Sequence, residues 1–254
     1  MTRRRLLALL ASPVLAAVPE TRLEDLGLEA TIPIQAALDH VQGIDVRDGR
    51  LWVTSVDRER ERGLLHRFEL PSGRLLHQTE VQRGECYHPG GIALDGDSIW
   101  VPVAEYRPRS SALMQRRRSD TLELEASFPV ADHIGCVAAD AGRLIGGNWD
   151  SELLYEWTRQ GKEIARKSRL SEARYQDLKL SEGLLVASGN LSREQGVVEW
   201  LSPITLEPLR RIVAGKTDRG VLYTHEGMAV RDGRLYLLPE DGPSRLFVFR
   251  LAGS

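Results

Sequence analysis

Four histidines begin similar stretches of the sequence, and imidazole is the side chain best suited to metal binding or proton transfer near neutral pH. The stretches are HVQGIDV from His40, HPGGIALD from His88, HIGCVAAD from His133 and HEGMAV from His225. The first three histidines each stand six residues before an apolar residue that precedes a turn, and His225 stands five before one. This shared position predicts equivalent places in a repeated unit.

Three roles fit such a set of histidines. The rings could lock neighbouring units together, because buried polar groups need hydrogen-bond partners. They could instead ligate a single divalent metal ion on a central axis, since neutral imidazoles suit Zn, Cu, Fe or Ni; the ligands would be His40, His88, His133 and His225. In the third role they contact an organic ligand or move protons.

Other polar residues recur at fixed positions of the same units. Gln42, Gln176 and Glu226 stand four residues before the apolar residue, and glycine is frequent one residue later. The loops that follow the second strand of each unit are rich in carboxylates and amides. We predict the catalytic candidates His88, His133, Glu226 and Glu105. We predict the ligand-binding candidates Gln42, Asn148, Trp149, Asp150, Gln176, Asn190 and Glu240.

The repeat itself indicates the fold. The apolar reference residues Val46, Leu94, Ala139, Leu180 and Val230 are separated by 48, 45, 41 and 50 residues. Each unit alternates apolar and polar residues as β-strands do, with turn residues such as Asp48-Gly49 between them. Four antiparallel strands repeated every 40–50 residues or so are typical of a β-propeller blade. We therefore predict an all-β, five-bladed β-propeller.

The strands of the first unit are expected at about 43–46, 51–55, 64–70 and 75–81. The fifth unit has no sequence for a fourth strand after Arg245–Leu251, while Gly27–Leu38 is strand-like and otherwise unassigned. We predict that this N-terminal strand completes the last blade and closes the ring, because an open ring would leave exposed edges. In a propeller the first strand of each blade lines the axis. The polar residues should therefore converge in one funnel.

Three further features have more than one interpretation. Trp52, Trp100, Trp157 and Trp200 lie in strands and are expected between blades, whereas Trp149 lies in a loop and either packs or faces a ligand. Cys86 and Cys136 lie in loops of adjacent blades in this scheme, so a disulfide is geometrically plausible. The charged stretch DRERERG (57–63) is either a solvated loop or a rim that orders over a ligand.

Composition limits the partners and the compartment. The chain has 254 residues and a net charge of −2, so no basic excess is available for nucleic acid. Arg3–Arg5 followed by the apolar stretch Leu6–Ala17 predicts a signal peptide over 1–17, of the twin-arginine or the general secretory type. We expect one propeller domain over 18–254, extracytoplasmic (periplasmic or secreted), monomeric and free of the membrane after cleavage.

The stretches HVQGIDV, HPGGIALDGDSIWVPVAEYRP, HIGCVA and GNWDSELLYEW resemble a family of exported bacterial proteins defined only as a domain of unknown function. The chain is more distantly similar to the glutamine cyclotransferases, which are five-bladed propellers. Their FTQGL resembles Val41–Ile44, and their LYxSDGSSTLY resembles LIGGNWDSELLY. Their LYEST strand holds a catalytic glutamate where this chain has Val53, and a valine cannot transfer a proton.

These observations favour a binding protein whose funnel, lined by His, Gln and Glu, takes a small polar molecule or a peptide. The alternative is a hydrolase or a cyclotransferase-like enzyme, with or without a metal ion, that uses the same funnel. A third interpretation is a protein-interaction platform, against which the charge-rich loops argue because such a surface needs an apolar patch.

Overall fold

The computed structural model describes residues 18–140 and 142–251, which form five sheets arranged as the blades of a propeller. Before the first blade lie β1 (Glu20–Arg22), a short 3₁₀ segment (Leu23–Asp25) and β2 (Gly27–Pro33). The first blade contains β3 (His40–Arg47), β4 (Arg50–Asp57), β5 (Arg62–Glu69) and β6 (Leu75–Glu80). The second contains β7 (Cys86–Pro89), β8 (Ala93–Asp95), β9 (Ser98–Glu105), β10 (Ala112–Arg118) and β11 (Leu124–Val130).

The remaining three blades follow in chain order. The third contains β12 (Ile134–Ala139), β13 (Arg143–Asn148), a 3₁₀ segment (Trp149–Ser151), β14 (Leu153–Thr158) and β15 (Glu163–Ser168). The fourth contains β16 (Arg174–Ser181), β17 (Leu184–Asn190), β18 (Gly196–Leu201) and β19 (Pro208–Ala214). The fifth contains β20 (Glu226–Arg231), β21 (Arg234–Pro239) and β22 (Arg245–Arg250). The predicted all-β, five-bladed architecture is confirmed.

The N-terminal segment closes the ring as predicted. Strand β2 pairs antiparallel with β22, with Ile32 opposite Leu246, and so supplies the outer strand of the fifth blade. The structure adds a contact that the sequence analysis missed, because β1 pairs in parallel with β19 at the outer edge of the fourth blade. The segment before the first blade therefore joins the outer edges of two blades.

Five apolar clusters fill the spaces between neighbouring blades, one for each interface. The four strand tryptophans are all buried in these clusters, as predicted. The indole nitrogens of two of them have partners. Trp52 Nε1 donates to the Ser119 carbonyl at 2.8 Å, and Trp100 Nε1 donates to Asp95 at 3.1 Å. These hydrogen bonds satisfy polar atoms that burial would otherwise leave unpaired.

Glycines let the inner strands meet at the axis. A Cβ atom on Gly43 would lie 2.2 Å from the Cα atom of Gly91, and one on Gly227 would lie 2.8 Å from the Ile44 side chain. Asp177 occupies the same level in the fourth blade and is completely buried. Its Oδ2 atom accepts hydrogen bonds from the backbone N–H groups of Ile44 and Met228, at 3.1 and 3.0 Å. One carboxylate thus joins the first, fourth and fifth blades.

The two cysteines are free, and the disulfide alternative is wrong for this structure. Both lie within strands rather than in loops, Cys86 in β7 and Cys136 in β12. The sulfur of Cys86 faces Ser111, and that of Cys136 faces Ser151 at 3.7 Å. Burial raises the pKa of the Cys136 thiol to about 12, so it is an unreactive core group.

The predicted signal peptide lies outside the described residues. Within the described part of the chain, no helix has the length and apolar character needed to cross a bilayer.

We predict an acid-sensitive core around His66 in β5. This ring is completely buried, its Nε2 atom lies 2.8 Å from Ser55 Oγ, and burial lowers its pKa to about 4, against a smaller opposing effect of Gln78. Between about pH 6.5 and 4 the unfolded chain therefore binds a proton that the folded chain does not. The free energy of unfolding decreases by about 3 kcal/mol as the pH is lowered through this range. Urea unfolding at pH 7 and pH 4.5 should show that His66→Gln loses less free energy of unfolding between the two pH values than the wild type does. The same loss in both proteins would contradict this, and the exposed His77→Gln should behave as wild type.

Candidate functional site

Irregularities in the innermost strands aim side chains at one mouth of the propeller. The register of pairing shifts between Val41 and Ile44 in β3, and similar shifts occur in β7, β12 and β16. Bulges of this kind re-aim side chains and are frequent beside binding sites. The fifth blade has no shift in β20, but Glu226 has a φ of 116° there. The residues at the start of the inner strands, just before the positions that meet at the axis, therefore project into a common pocket.

The axial pocket has a volume of about 150 Å³, which is room for about five water molecules. Nine of the predicted site residues line it. They are His40, Gln42, His88, His133, Asn148, Trp149, Asp150, Gln176 and Glu226. The pocket also contains Tyr106, Gly135 and Tyr175, which were not predicted. Its two ends differ in chemistry.

One end of the pocket is an aromatic wall. His88 stacks on Tyr106 with ring centroids 4.3 Å apart, and His133 meets Trp149 edge to face at 4.7 Å. Burial is the main reason that the pKa of His88 lies well below its ordinary value, so this imidazole is neutral at pH 7. Its Nδ1 atom is buried without a hydrogen-bond partner. The wall therefore presents flat, uncharged rings to whatever occupies the pocket.

His133 is held in one orientation. Its Nδ1 atom donates to the backbone carbonyl of Glu105 at 2.9 Å, which fixes the proton on Nδ1 and leaves a free lone pair on Nε2. Burial lowers the pKa of this ring too, against the opposing effect of the carbonyls of Glu105 and Arg107. His133 can therefore accept a hydrogen bond from a ligand.

The other end of the pocket is acidic. His40 Nδ1 lies 2.9 Å from Glu240 Oε1, although the N–H is not aligned for a hydrogen bond, and His40 Nε2 lies 2.8 Å from Gln42 Nε2. Glu226 is 5% exposed, and its Oε1 atom lies 3.4 Å from His225 Nε2. We call His40, Glu226 and Glu240 the acidic cluster.

The two carboxyl groups of the acidic cluster ionise differently. Burial, assisted by the charge of Glu240, raises the pKa of Glu226 well above its ordinary value. Burial also acts to raise the pKa of Glu240, but contact with His40 and the nearby charges of Arg58 and His225 outweigh it and lower the pKa. At neutral pH the cluster thus contains one ionised carboxylate beside one that retains a proton more readily.

Four predicted residues are not among those that line the pocket, namely Glu105, Asn190, His225 and Glu240. The Glu105 carboxylate, predicted as a catalytic group, accepts from Ser111 at 2.8 Å and from Arg107 at 2.5 Å. These contacts also lower its pKa. Asn190 contacts His225 instead, and its Nδ2 atom lies 3.2 Å from the Nδ1 atom of that ring. Asn148 lines the pocket, but its amide is held by Asp132 and by the Leu153 backbone.

A larger cavity of about 690 Å³ adjoins the pocket and shares Asp150 and Gln176 with it. His225 and Asn190 belong to this cavity, together with the cations Arg174, Arg193 and Lys216. Arg174 is largely exposed, and its guanidinium lies 3.8 Å from the Asp150 carboxylate. The four histidines are therefore divided, with three on the pocket and one on the adjoining cavity.

Sequence reasoning missed two functional candidates. Tyr106 directly follows Glu105 in a loop that had been identified as part of the mouth, so its aromatic side chain was a usable signal. Arg58 lies in the DRERERG stretch, and its guanidinium is 5.4 Å from the centre of the Tyr106 ring. Nothing in that stretch distinguishes it from its neighbours, since Asp57 and Arg60 do pair with each other at 2.9 Å, as in a solvated loop.

The fold and the site define a five-bladed β-propeller with a small polar pocket above an axis closed by Asp177 and glycine backbone. Residues 24–181 match a family of unknown function (DUF6454), and the chain belongs to that family. Among curated proteins, none matches the sequence.

The solved structures that are similar to this chain include two enzymes. The glutaminyl cyclase of Myxococcus xanthus has a TM-score of 0.70 and 17% identity, over 92% of this chain and 98% of that one. The PQQ-bound aldose sugar dehydrogenase of Streptomyces coelicolor has a TM-score of 0.51 and 13% identity, over 89% and 97%. At these identities the likeness shows the fold alone. Val53, at the position of the glutamate in the cyclotransferase motif, is completely buried in the core.

Proposed function

We propose that this protein binds a small polar molecule or the end of a peptide in the axial pocket. The observation that carries the proposal is the concentration of polar and aromatic groups around a half-open pocket of about 150 Å³. Two buried atoms of these groups, His40 Nδ1 and His88 Nδ1, lack a hydrogen-bond partner within the described protein. Concave sites with a few convergent polar groups are the usual sites of small ligands.

The surroundings of the pocket favour a ligand with an extended, charged portion. A compact group packed against the aromatic wall of Tyr106 and Trp149 would occupy the pocket, while the adjoining cavity offers Arg174 and Arg193 to a carboxylate. A dipeptide has both a compact side chain and a carboxylate. Short peptides are therefore the first probes that we would choose. We include Gln-Ala because a glutaminyl cyclase shares the fold.

Ligand binding is expected to change the fluorescence of Trp149. This residue is half-buried in the pocket, whereas the other four tryptophans are buried between blades. Titration with a panel of dipeptides should give a saturable signal that Trp149→Phe removes. Tyr106→Ala should weaken binding about fivefold, because stacking on an aromatic ring is worth about 1 kcal/mol.

A matched control is Ile204→Ala, which changes an apolar side chain that is 73% exposed and remote from the pocket residues. It should bind as wild type does. The proposal is abandoned if no dipeptide binds below about 1 mM, or if Tyr106→Ala leaves every affinity unchanged.

A second candidate is an enzyme that hydrolyses or cyclises its ligand in the same pocket. The acidic cluster favours it, because a carboxylate in contact with an imidazole at the end of a pocket is an arrangement used for proton transfer. Incubation with Gln-Ala separates the two candidates. Release of ammonia, the product of cyclisation, or of free alanine, the product of peptide hydrolysis, in proportion to the protein indicates an enzyme, whereas binding of an unchanged dipeptide indicates a binding protein.

A further inference from the structure

We propose that His40, Glu226 and Glu240 form a binding site for one first-row transition-metal ion, such as Zn²⁺, at the acidic end of the pocket. Each residue offers one ligand atom, and these three atoms all lie within 4.8 Å of one another. The site goes beyond the proposed binding function and does not depend on it.

The spacing of the three atoms suits a small ion. Zinc binds nitrogen and carboxylate oxygen at about 2.0–2.2 Å, so ligand atoms in a tetrahedral site are about 3.4 Å apart. His40 Nδ1 and Glu240 Oε1 are 2.9 Å apart, and they need to separate by only a few tenths of an ångström. The other two distances are at most 4.8 Å and must shorten by up to about 1.4 Å, so side-chain rotations that bring Glu226 closer are needed to form the metal site.

His40 supplies a second, independent indication of a ligand. The residue is only 8% exposed, and its Nδ1 atom points toward the cluster without an aligned hydrogen bond. Metal binding needs a lone pair on Nδ1 and hence a proton on Nε2. The Gln42 amide nitrogen now lies 2.8 Å from Nε2 and donates to the Val41 carbonyl at 2.9 Å. Rotation of this amide would present an oxygen to the Nε2 proton, at the cost of the hydrogen bond to Val41.

Glu226 supplies a third indication. A non-glycine residue with a φ of 116° is strained, and such strain is stored mainly at functional sites. The strained backbone holds a buried carboxylate whose ion-pair contact is the half-exposed His225 ring at 3.4 Å. A divalent cation would neutralise Glu226 and Glu240 together, with more charge than an imidazolium provides.

The donor set determines the kind of ion. One imidazole with two carboxylates suits Zn²⁺ and its transition-metal neighbours, whereas Mg²⁺ and Ca²⁺ prefer oxygen donors alone. With three protein ligands, the fourth position faces the pocket and remains open to water or to a ligand oxygen, as in catalytic zinc sites. Of the four histidines expected to share one ion, only His40 belongs to this set.

Isothermal titration of EDTA-treated, desalted protein with Zn²⁺ tests the proposal. We expect one ion per chain with a dissociation constant of about 1 μM or below, and a higher melting temperature with Zn²⁺ than with EDTA. Co²⁺ in the same site should give the strong visible absorption of a four-coordinate ion. Glu226→Gln and Glu240→Gln should each weaken Zn²⁺ binding at least about 100-fold. Circular dichroism in EDTA verifies that each variant is folded.

Two controls identify the ligands. His133→Ala keeps the acidic cluster and should bind Zn²⁺ as wild type does, whereas an ion held by the four histidines would be lost. Glu105→Gln changes a carboxylate at the same mouth that Ser111 and Arg107 already hold, and it should also leave binding unchanged. The proposal is overturned if wild-type protein binds no Zn²⁺ below about 100 μM, or if both glutamine variants of the cluster bind as wild type does. The dipeptide titration is a separate measurement, so either proposal can fail alone.

Discussion

Replacing Asp177 with asparagine should destabilise the folded protein by about 3–5 kcal/mol, the usual cost of breaking a buried ion pair. The side chain is completely inaccessible, and its Oδ1 atom lies 2.5 Å from Lys179 Nζ. Burial raises the pKa of Asp177 to about 6 in spite of the opposing charge of Lys179. In either orientation the NH2 group of an amide would face other donors, either the N–H groups of Ile44 and Met228 or the Leu178 N–H and the Lys179 ammonium. The amide would also leave Lys179 without its counter-ion.

Urea unfolding of a mutant cycle measures this effect. The double variant Asp177→Asn/Lys179→Met should lose less stability than the two single variants together, because removing Lys179 removes the unpaired charge. Asp48→Asn is the matched control, since the Asp48 side chain is 92% exposed in a turn with a φ of 49°, which asparagine tolerates. A loss below about 1 kcal/mol in Asp177→Asn would show that this carboxylate does not hold the blades together.

Gly43→Ala is expected to cost about 3 kcal/mol or more, or to prevent folding, although it adds a single methyl group. The new Cβ atom would lie 2.2 Å from the Gly91 Cα atom and 3.0 Å from the Gly90 carbonyl oxygen. Both neighbours are backbone atoms of the second blade, which cannot move without shifting β7 and β8. The melting temperature and the far-ultraviolet circular dichroism of the purified variant measure the loss.

Gly27→Ala is the control for this substitution, because a Cβ atom at that position in β2 has no neighbour within 4 Å. Its stability should change by less than about 0.5 kcal/mol. Wild-type stability in Gly43→Ala would mean that the inner strands are not packed against each other as closely as this structure shows.

The candidate site was predictable where it depends on position within the repeat. Residues at the start of each inner strand, such as Gln42 and His88, do line the pocket because equivalent strands place them at the same height. Glu105 does not line the pocket as expected, because its loop also contains Ser111 and Arg107, which satisfy the carboxylate. Competition between partners within a loop depends on side-chain geometry, which spacing does not describe.

The division of the pocket into two ends was not predictable either. The acidic cluster combines His40 of the first blade with Glu226 and Glu240 of the fifth, so its residues are almost 200 positions apart in the chain. The sequence showed that the mouth contains imidazoles and carboxylates. It did not show which of them are neighbours, because a shift of one residue in each inner strand decides where a side chain points.

By itself the sequence determined the number of blades, the closing strand and the tryptophans between blades, because these follow from a repeat period and from apolar alternation, which are local properties of the chain. Only the tertiary structure decided that the cysteines stay apart, that Asp177 closes the axis and that His225 faces a different cavity from His88. Each of these depends on distances between blades. Such distances are set by close packing around the axis, to which every blade contributes and which no single stretch of sequence encodes.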